Sequence, residues 1–520
     1  MRPIDFFDRG ALLHPERAFM IAEDGTVTTH AAAQALSHRT ALAMLAAGFA
    51  RGRHAAIYSP NDTRAFDALL GIFRAGGAWV PINARNAIAE NAYILDNNDA
   101  EFLFYHSSFE DNVKVIRDKC PKIKNYICLD RGDAGAPAFD DFVAPHNGTA
   151  PEFPDNADDI CGIFSSGGTT GRPKGILWSN SVMEAMIAAM CAHMPPKPGK
   201  PPVHLCAAPM THAAGVTALS LMAYGATNVI MNGVQLPELM AKIERYGVTN
   251  LFLPPTAIYV MLAHPDVRKY DYSSLDYFLY AAAPMSVDKL KEAIEVFGPV
   301  MAQSYGQAEA PMICTYLPPE AHVEALATNK VHRLASCGQP ALLTPTDIMD
   351  DYGNILPVGE RGEIVVRGAL VMKGYYKNPE ATAEITTEDG WHRTGDIGLK
   401  DENGYIYIVD RKKDMIISGG FNVYPSEIEQ VIWSHPSVQD CAVIGVPDDK
   451  WGEAVKAIVE LKPGMQASEA EIIALCKEEL GSVKAPKSVE FWDELPRSAV
   501  GKVRKKDMRE KYWTGRDRSI

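Results

Sequence analysis

The chain has 520 residues, more than one compact core holds, so roughly two to four structural units are expected. Hydrophobic residues make up 47% and charged residues 22%, as in ordinary globular proteins, and no apolar run reaches the roughly 18 residues of a membrane span. No integral membrane association is expected, and a formal net charge of −14 argues against a general nucleic-acid binder.

The opening segment, Met1 to Arg9, lacks the long apolar core of a signal peptide and carries acids early, so a cytoplasmic protein is expected. Nine cysteines scattered from Cys120 to Cys476, with no C-x-x-C pair, point to reduced core residues rather than to disulfides or a zinc site. A hairpin is predicted with Phe19 to Ala22 and Thr26 to Thr29 around an Asp24-Gly25 turn. The apolar stretch Ile160 to Phe164 reads as a strand, and the Pro-rich piece from Pro195 to Pro202 reads as a surface loop. Strand-then-helix units follow at Thr249 to Leu253 with Thr256 to Leu262, and at Tyr277 to Tyr280 with Val287 to Phe297. The first 330 or so residues thus read as layered α/β around a parallel sheet.

From about Gly362 the texture changes to short strands, as in Glu363 to Gly368 and Tyr405 to Val409. Beyond Asp414 comes a small α+β pattern: a helix near Ser426 to Trp433, strands at Ala442 to Val446 and Ala454 to Leu461, and a helix from Ser468 to Leu480. The predicted fold class is therefore α/β. A large N-terminal domain (1–411) holds layered α/β subdomains and a β-rich module at about 340–411, and a small α+β C-terminal domain covers 412–520. The basic run Arg504-Lys505-Lys506 reads equally as a solvated patch beside a helix or as a phosphate contact.

The predicted strand at Ile160 to Phe164 runs into Ser165-Ser166-Gly167-Gly168-Thr169-Thr170-Gly171-Arg172-Pro173-Lys174-Gly175. Glycines there let backbone N–H groups turn toward an anion, the hydroxyls of Ser166, Thr169 and Thr170 donate to phosphate oxygens, and Lys174 adds positive charge. Alone, such a loop is as readily a polar turn as a polyphosphate grip. It is not a Walker A loop, because Gly501-Lys502 is followed by Val503. The segment resembles the phosphate loop, [ST]-S-G-[ST]-T-G-x-P-K-G, of the adenylate-forming superfamily of acyl-CoA synthetases, luciferases and peptide-synthetase adenylation domains. Gly167 stands where that family usually has serine, which removes a hydroxyl and adds backbone freedom.

The resemblance continues in the family's order along nearly the whole chain. Pro209 to Gly215 resembles the segment that borders the acyl pocket, which makes His212 a pocket-wall residue; by itself it would more often be a satisfied core histidine. Tyr280-Ala281-Ala282-Ala283-Pro284 resembles the adenine-sandwiching segment, with Ala281 bordering the acyl pocket; Ala281 and Ala282 replace the usual glycines. Ser304-Tyr305-Gly306-Gln307-Ala308-Glu309 resembles Y-G-x-T-E, in which the tyrosine stacks on adenine and the glutamate holds Mg²⁺. Ala308 replaces a threonine that reaches the adenylate phosphate, a lost hydrogen bond worth roughly 1.5–3 kcal/mol.

Thr394-Gly395-Asp396 resembles the family's T-G-D, which assigns the ribose hydroxyls to Asp396, with Arg411 as second ribose contact. Lys413 matches the hinge about which the C-terminal domain turns as a mobile lid. Gly419 and Gly420, within Ser418 to Glu429, match the strand that borders the pantetheine tunnel, where glycine lets a thin thiol arm pass close to backbone. Pro496 to Lys502 resembles the terminal motif that delivers a lysine to the carboxylate and α-phosphate, which makes Lys502 catalytic alongside Thr170 and Glu309.

The resemblance implies an ATP-dependent acid–thiol ligase that uses ATP, Mg²⁺ and coenzyme A. A carboxylate is adenylated, and the acyl group then passes to the CoA thiol. A medium-chain, aromatic or alicyclic acid is expected, and a homodimer is admitted. The same motifs permit loading of a carrier protein, a luciferase-like oxygenase, or a sensor that has lost catalysis.

Overall fold

The computed structural model describes residues 1–132, 135–165, 172–448, 450–498 and 503–513. The chain begins with a helix, Pro3–Leu13, whose Pro at the first turn needs no N–H partner and whose start is closed by reciprocal bonds between Arg2 and Asp5. The predicted hairpin follows as antiparallel strands Ala18–Ile21 and Val27–Thr29, turning at Gly25, which has φ +88°.

That hairpin forms one edge of a nine-stranded sheet. Its interior strands Thr227–Ile230, Val203–Cys206, Asn250–Leu253, Tyr277–Tyr280 and Met301–Gln307 run parallel. Helices cover parallel sheets on both faces, so these strands are almost wholly buried and read as continuous apolar runs rather than alternating ones. The far edge turns antiparallel through Ala310–Leu317. A six-stranded sheet holds Ile160–Ser165, as expected, and beside it an antiparallel return strand, Gly175–Ser179. Residues 166–171 of the glycine-rich loop join these two strands and lie outside the described residues.

One apolar core runs between the two large sheets and includes Phe19, Phe66, Trp79, Phe164 and Trp178. Phe164 and Trp178 stack with ring centroids 3.7 Å apart, which ties the two strands that flank the loop to each other. The β-rich stretch is a four-stranded antiparallel sheet, Thr346–Met349, Arg361–Val366, His392–Lys400 and Ile406–Arg411. The terminal α+β pattern is a five-stranded sheet with its own core of Ile428, Ile432, Val443, Val455 and Ile472. The helix Glu469–Lys484 opens on a capping box of Ser468 and Glu471. All nine cysteines are free, and eight are buried. Among the described residues no helix is long and apolar enough to cross a membrane.

Burial holds His30, His204, His322 and His392 neutral, each with its pKa lowered to about 4. His322 shows how: its Nδ1 meets the Pro318 carbonyl at 2.8 Å and its Nε2 meets the Tyr280 hydroxyl at 2.9 Å, partners that suit one neutral tautomer. In the unfolded chain these rings titrate near 6.5, so between about pH 6.5 and 4 the unfolded state binds the extra protons and stability falls as pH falls. Buried Asp67, raised to about 7, works the other way and offsets about one histidine. A net loss of roughly 3 kcal/mol per pH unit is expected below pH 6, measured as urea midpoints at pH 7.5 and 5.5.

Candidate active site

Ligands of open parallel sheets bind beyond the carboxyl ends of the strands, and the nine-stranded sheet brings three of the motifs to that edge. Tyr280 and Gln303 are register partners, so Ala281 to Pro284, which follow one strand, lie beside Tyr305 to Glu309 at the end of its neighbour. Ala282 has φ +76°, a left-handed conformation that costs a residue with a Cβ about 1 kcal/mol or more. The alanine that replaces glycine there is therefore strained. Gly306 must be glycine for a different reason: a Cβ on it would lie 2.7 Å from the Met312 backbone of the adjacent strand.

Tyr305 is buried and its hydroxyl donates to Asp396 Oδ2 at 2.6 Å. Asp396 sits on His392–Lys400 directly opposite Arg411 on Ile406–Arg411, and Arg411 Nε meets Asp396 Oδ1 at 2.7 Å. The Asp396 carboxylate raises the pKa of the Arg411 guanidinium, and burial followed by the same carboxylate raises that of the Tyr305 phenol. Arg411 stays a cation and Tyr305 stays a donor. Each carboxylate oxygen accepts two hydrogen bonds, so Asp396 keeps one further lone-pair site on each oxygen.

Glu309 lies in the tight connection to Ala310–Leu317, and its Oε1 accepts the Tyr375 hydroxyl at 2.8 Å. Lys174, at the end of the glycine-rich loop, places its Nζ 4.6 Å from the centre of the same Tyr375 ring. The segment around Tyr375 is mounted on Gly175–Ser179: Tyr376 N–H donates to the Gly175 carbonyl at 2.7 Å, and Tyr375 bridges Ile176. Trp178 Nε1 donates to the Ala308 carbonyl at 2.7 Å. The loop's trailing end and the acidic motif are thus joined across two sheets. Tyr375, Trp178 and His392, which shares a 2.9 Å hydrogen bond with Gln307, did not stand out in the sequence. An alternating strand pattern marks such residues as buried, not as partners of a site.

Ser166, Gly167, Gly168, Thr169, Thr170, Gly171 and Lys502 lie outside the described residues. His212 is exposed, with its Nδ1 3.0 Å from Thr211 Oγ1. Its chain neighbours Met210, Thr211 and Gly215 line a cavity of about 230 Å³, together with Ser59, Asn61 and Arg85. Gly215 allows that wall to close, since a Cβ on it would overlap the Met210 carbonyl. Asn61 holds the wall in place through Met210 N–H at 2.8 Å and the Ala208 and Met231 carbonyls at 2.9 Å. Asn61→Ala is expected to leave Met210 N–H unpaired and cost about 1–3 kcal/mol, seen as a lower thermal midpoint.

Lys413 stands in the short turn Lys412–Asp414, through which the chain passes from the four-stranded to the five-stranded sheet; burial lowers its pKa. Gly419 and Gly420 form the turn of the hairpin Ile416–Ser418 with Phe421–Val423, at φ +59° and +82°. That turn rests on Trp451, through Gly419 N–H and the Trp451 carbonyl at 2.8 Å. Within the basic run the expectation fails for Lys505. It is neither solvated nor free for a phosphate, but sits half-buried with Nζ 2.7 Å from Glu429 Oε1, because the helix Lys505–Glu510 packs against the five-stranded sheet.

The AMP-binding enzyme family matches residues 7–376, and the AMP-binding enzyme C-terminal domain matches residues 427–502. The medium/long-chain-fatty-acid–CoA ligase FadD8 of Mycobacterium tuberculosis is 40% identical over 370 residues, which cover 70% of this chain and 63% of that protein. A feruloyl-CoA synthase from an Amycolatopsis species is 33% identical over 515 residues, 97% of this chain and 98% of that one. Among solved structures, the anthranilate CoA ligase AuaEII in complex with anthranoyl-AMP is similar at a TM-score of 0.90 and 25% identity, covering 98% of this chain and 97% of that one. The layered α/β fold with its terminal α+β unit is therefore shared across the full length.

Proposed function

We propose, from the premise that this chain belongs to the AMP-binding enzyme family, that it is an ATP-dependent acid–thiol ligase acting on a medium-chain, aromatic or alicyclic carboxylic acid. The observation that carries this reading is Asp396 held between Tyr305 and Arg411, beside Glu309 at the edge of the parallel sheet. A carboxylate so held suits vicinal ribose hydroxyls, and Ala282, Ala283 and Pro284 on the neighbouring strand end form a shelf for adenine.

In the first step a carboxylate oxygen of the acid attacks the α-phosphorus of ATP, and the bond to the bridging oxygen of pyrophosphate breaks. Ser166, Thr169, Thr170 and Lys174 take the departing phosphates, and Lys502 offsets charge on the α-phosphate. In the second step the CoA sulfur attacks the acyl carbonyl, AMP leaves and the thiol proton passes to solvent. The unit 412–520, turning about Lys413, withdraws Lys502 and brings Gly419 and Gly420 to the pantetheine arm.

Among the described residues no three acidic, histidine or cysteine groups gather as a metal cage. That suits Mg²⁺, which needs one or two carboxylates when phosphates and water supply the rest, and Glu309 would hold it. Bound there, Mg²⁺ would neutralise phosphate charge as it develops. A cytoplasmic location is part of this reading, and sedimentation would tell the homodimer from a monomer.

The test is pyrophosphate release from ATP by the full chain over a panel of acids, with CoA and with a phosphopantetheinylated carrier offered in parallel. Acid-dependent release with acyl-CoA as product is expected. Thioester on the carrier alone would replace this reading with carrier loading, and no acid-dependent release would overturn it.

A further inference from the structure

Tyr375 touches both charged groups that the proposed first step uses on the phosphate side, and neither family motif contains it. Its hydroxyl donates to Glu309 Oε1 at 2.8 Å, and its ring lies under Lys174 Nζ at 4.6 Å. The backbone that carries this side chain is anchored from several directions. Tyr375 N–H donates to Thr382 Oγ1 at 2.8 Å, its backbone bridges Ile176, and Lys373 N–H and Tyr376 N–H donate to the Leu177 and Gly175 carbonyls. Glu309 is fixed from the backbone side as well, through Met372 N–H donating to its carbonyl at 2.8 Å. The segment 372–376 thus clamps the acidic motif to the strand that leaves the glycine-rich loop.

We infer that Tyr375 is a positioning residue that sets Glu309 for the divalent cation and Lys174 for the ATP phosphates at once. The inference rests on the reading of Glu309 as the cation's carboxylate. A ligating carboxylate that rotates freely pays orientation entropy when the metal binds, and an outer hydrogen bond removes that cost in advance; losing such a partner typically costs 10–100-fold in metal affinity. The ring acts separately, since a cation over an aromatic face is held there without being neutralised.

Two variants separate these roles. Tyr375→Phe keeps the ring and removes the hydroxyl, and Tyr375→Leu removes both. Mn²⁺ binding to the full chain with a non-reacting ATP analogue, read by electron paramagnetic resonance, is expected to weaken about tenfold in Tyr375→Phe. Binding of the analogue without metal is expected to stay at the wild-type level in Tyr375→Phe and to fall several-fold in Tyr375→Leu. Glu309→Gln tests the underlying reading. If it weakens Mn²⁺ while Tyr375→Phe does not, the role of Tyr375 fails and that of Glu309 stands; if Glu309→Gln leaves Mn²⁺ unchanged, the Glu309 reading fails. Equal losses of metal and nucleotide in Tyr375→Phe that track a lowered thermal midpoint would reduce Tyr375 to a structural residue.

Discussion

Lys502→Ala is expected to lower acid-dependent pyrophosphate release about a thousandfold while acyl-CoA formation from supplied acyl-adenylate changes only a few-fold. Adenylation builds negative charge on the α-phosphate and on the departing pyrophosphate, and one aimed donor at such a centre is worth roughly 10²–10³ in rate. Transfer to the thiol needs no charge at that position. Lys502 itself lies outside the described residues, but the residues on either side of 499–502 are well held. Arg497 and Val503 form a bridge, Arg504 N–H donates to the Pro496 carbonyl at 2.7 Å, and Arg497 pairs with Asp440 at 2.8 Å and with Glu460 at 3.3 Å. Equal loss in both half-reactions would remove Lys502 from the first step.

Lys505→Met is expected to destabilise the terminal unit by about 3–5 kcal/mol, read as a large drop in its thermal or urea midpoint. Lys505 is 17% exposed and Glu429 only 7%, and buried Asp410 and half-buried Asp414 add to the field that raises the pKa of the lysine. With methionine in its place, Glu429 and Asp410 are left as buried carboxylates whose pKa values burial already raises. Their folded-state pKa values then lie above the unfolded ones, so the folded variant binds more protons than its unfolded chain as pH falls toward the carboxylate range. The gap between variant and wild type should therefore narrow on acidification. Lys506→Met, next in the chain but exposed and paired with Glu510 at 3.7 Å, should cost less than about 0.5 kcal/mol. Similar losses at both positions would show that helix propensity, not the buried pair, sets the effect.

The pair also bears on the domain movement proposed above. Asp410 belongs to the four-stranded sheet, and Lys505 and Arg509 to the terminal helix; Arg509 meets Asp414 at 2.6 Å beside Lys413. Rotation about Lys413 would have to exchange these contacts, so the turn is guarded by charges from both sides.

Local chemistry made much of this protein legible. The turn at Asp24-Gly25, the strand Ile160–Ser165, the unit Tyr277–Tyr280 with Val287–Phe297 and the terminal helices all follow from periodicity and capping between near neighbours. Tyr305, Asp396 and Arg411 were named from their motifs, and the structure brings those three together. Tertiary packing decided the rest. Tyr375 reaches Glu309 across 66 residues, Asn61 reaches Met210 across 149, and neither contact has a periodic trace in the chain. The basic run reads equally as a solvated patch or a phosphate contact, and only the fold of the terminal helix onto the five-stranded sheet sets Lys505 against Glu429. Turn and strand signals act between residues a few positions apart, whereas the partner of a buried polar group depends on which sheets meet and in what register.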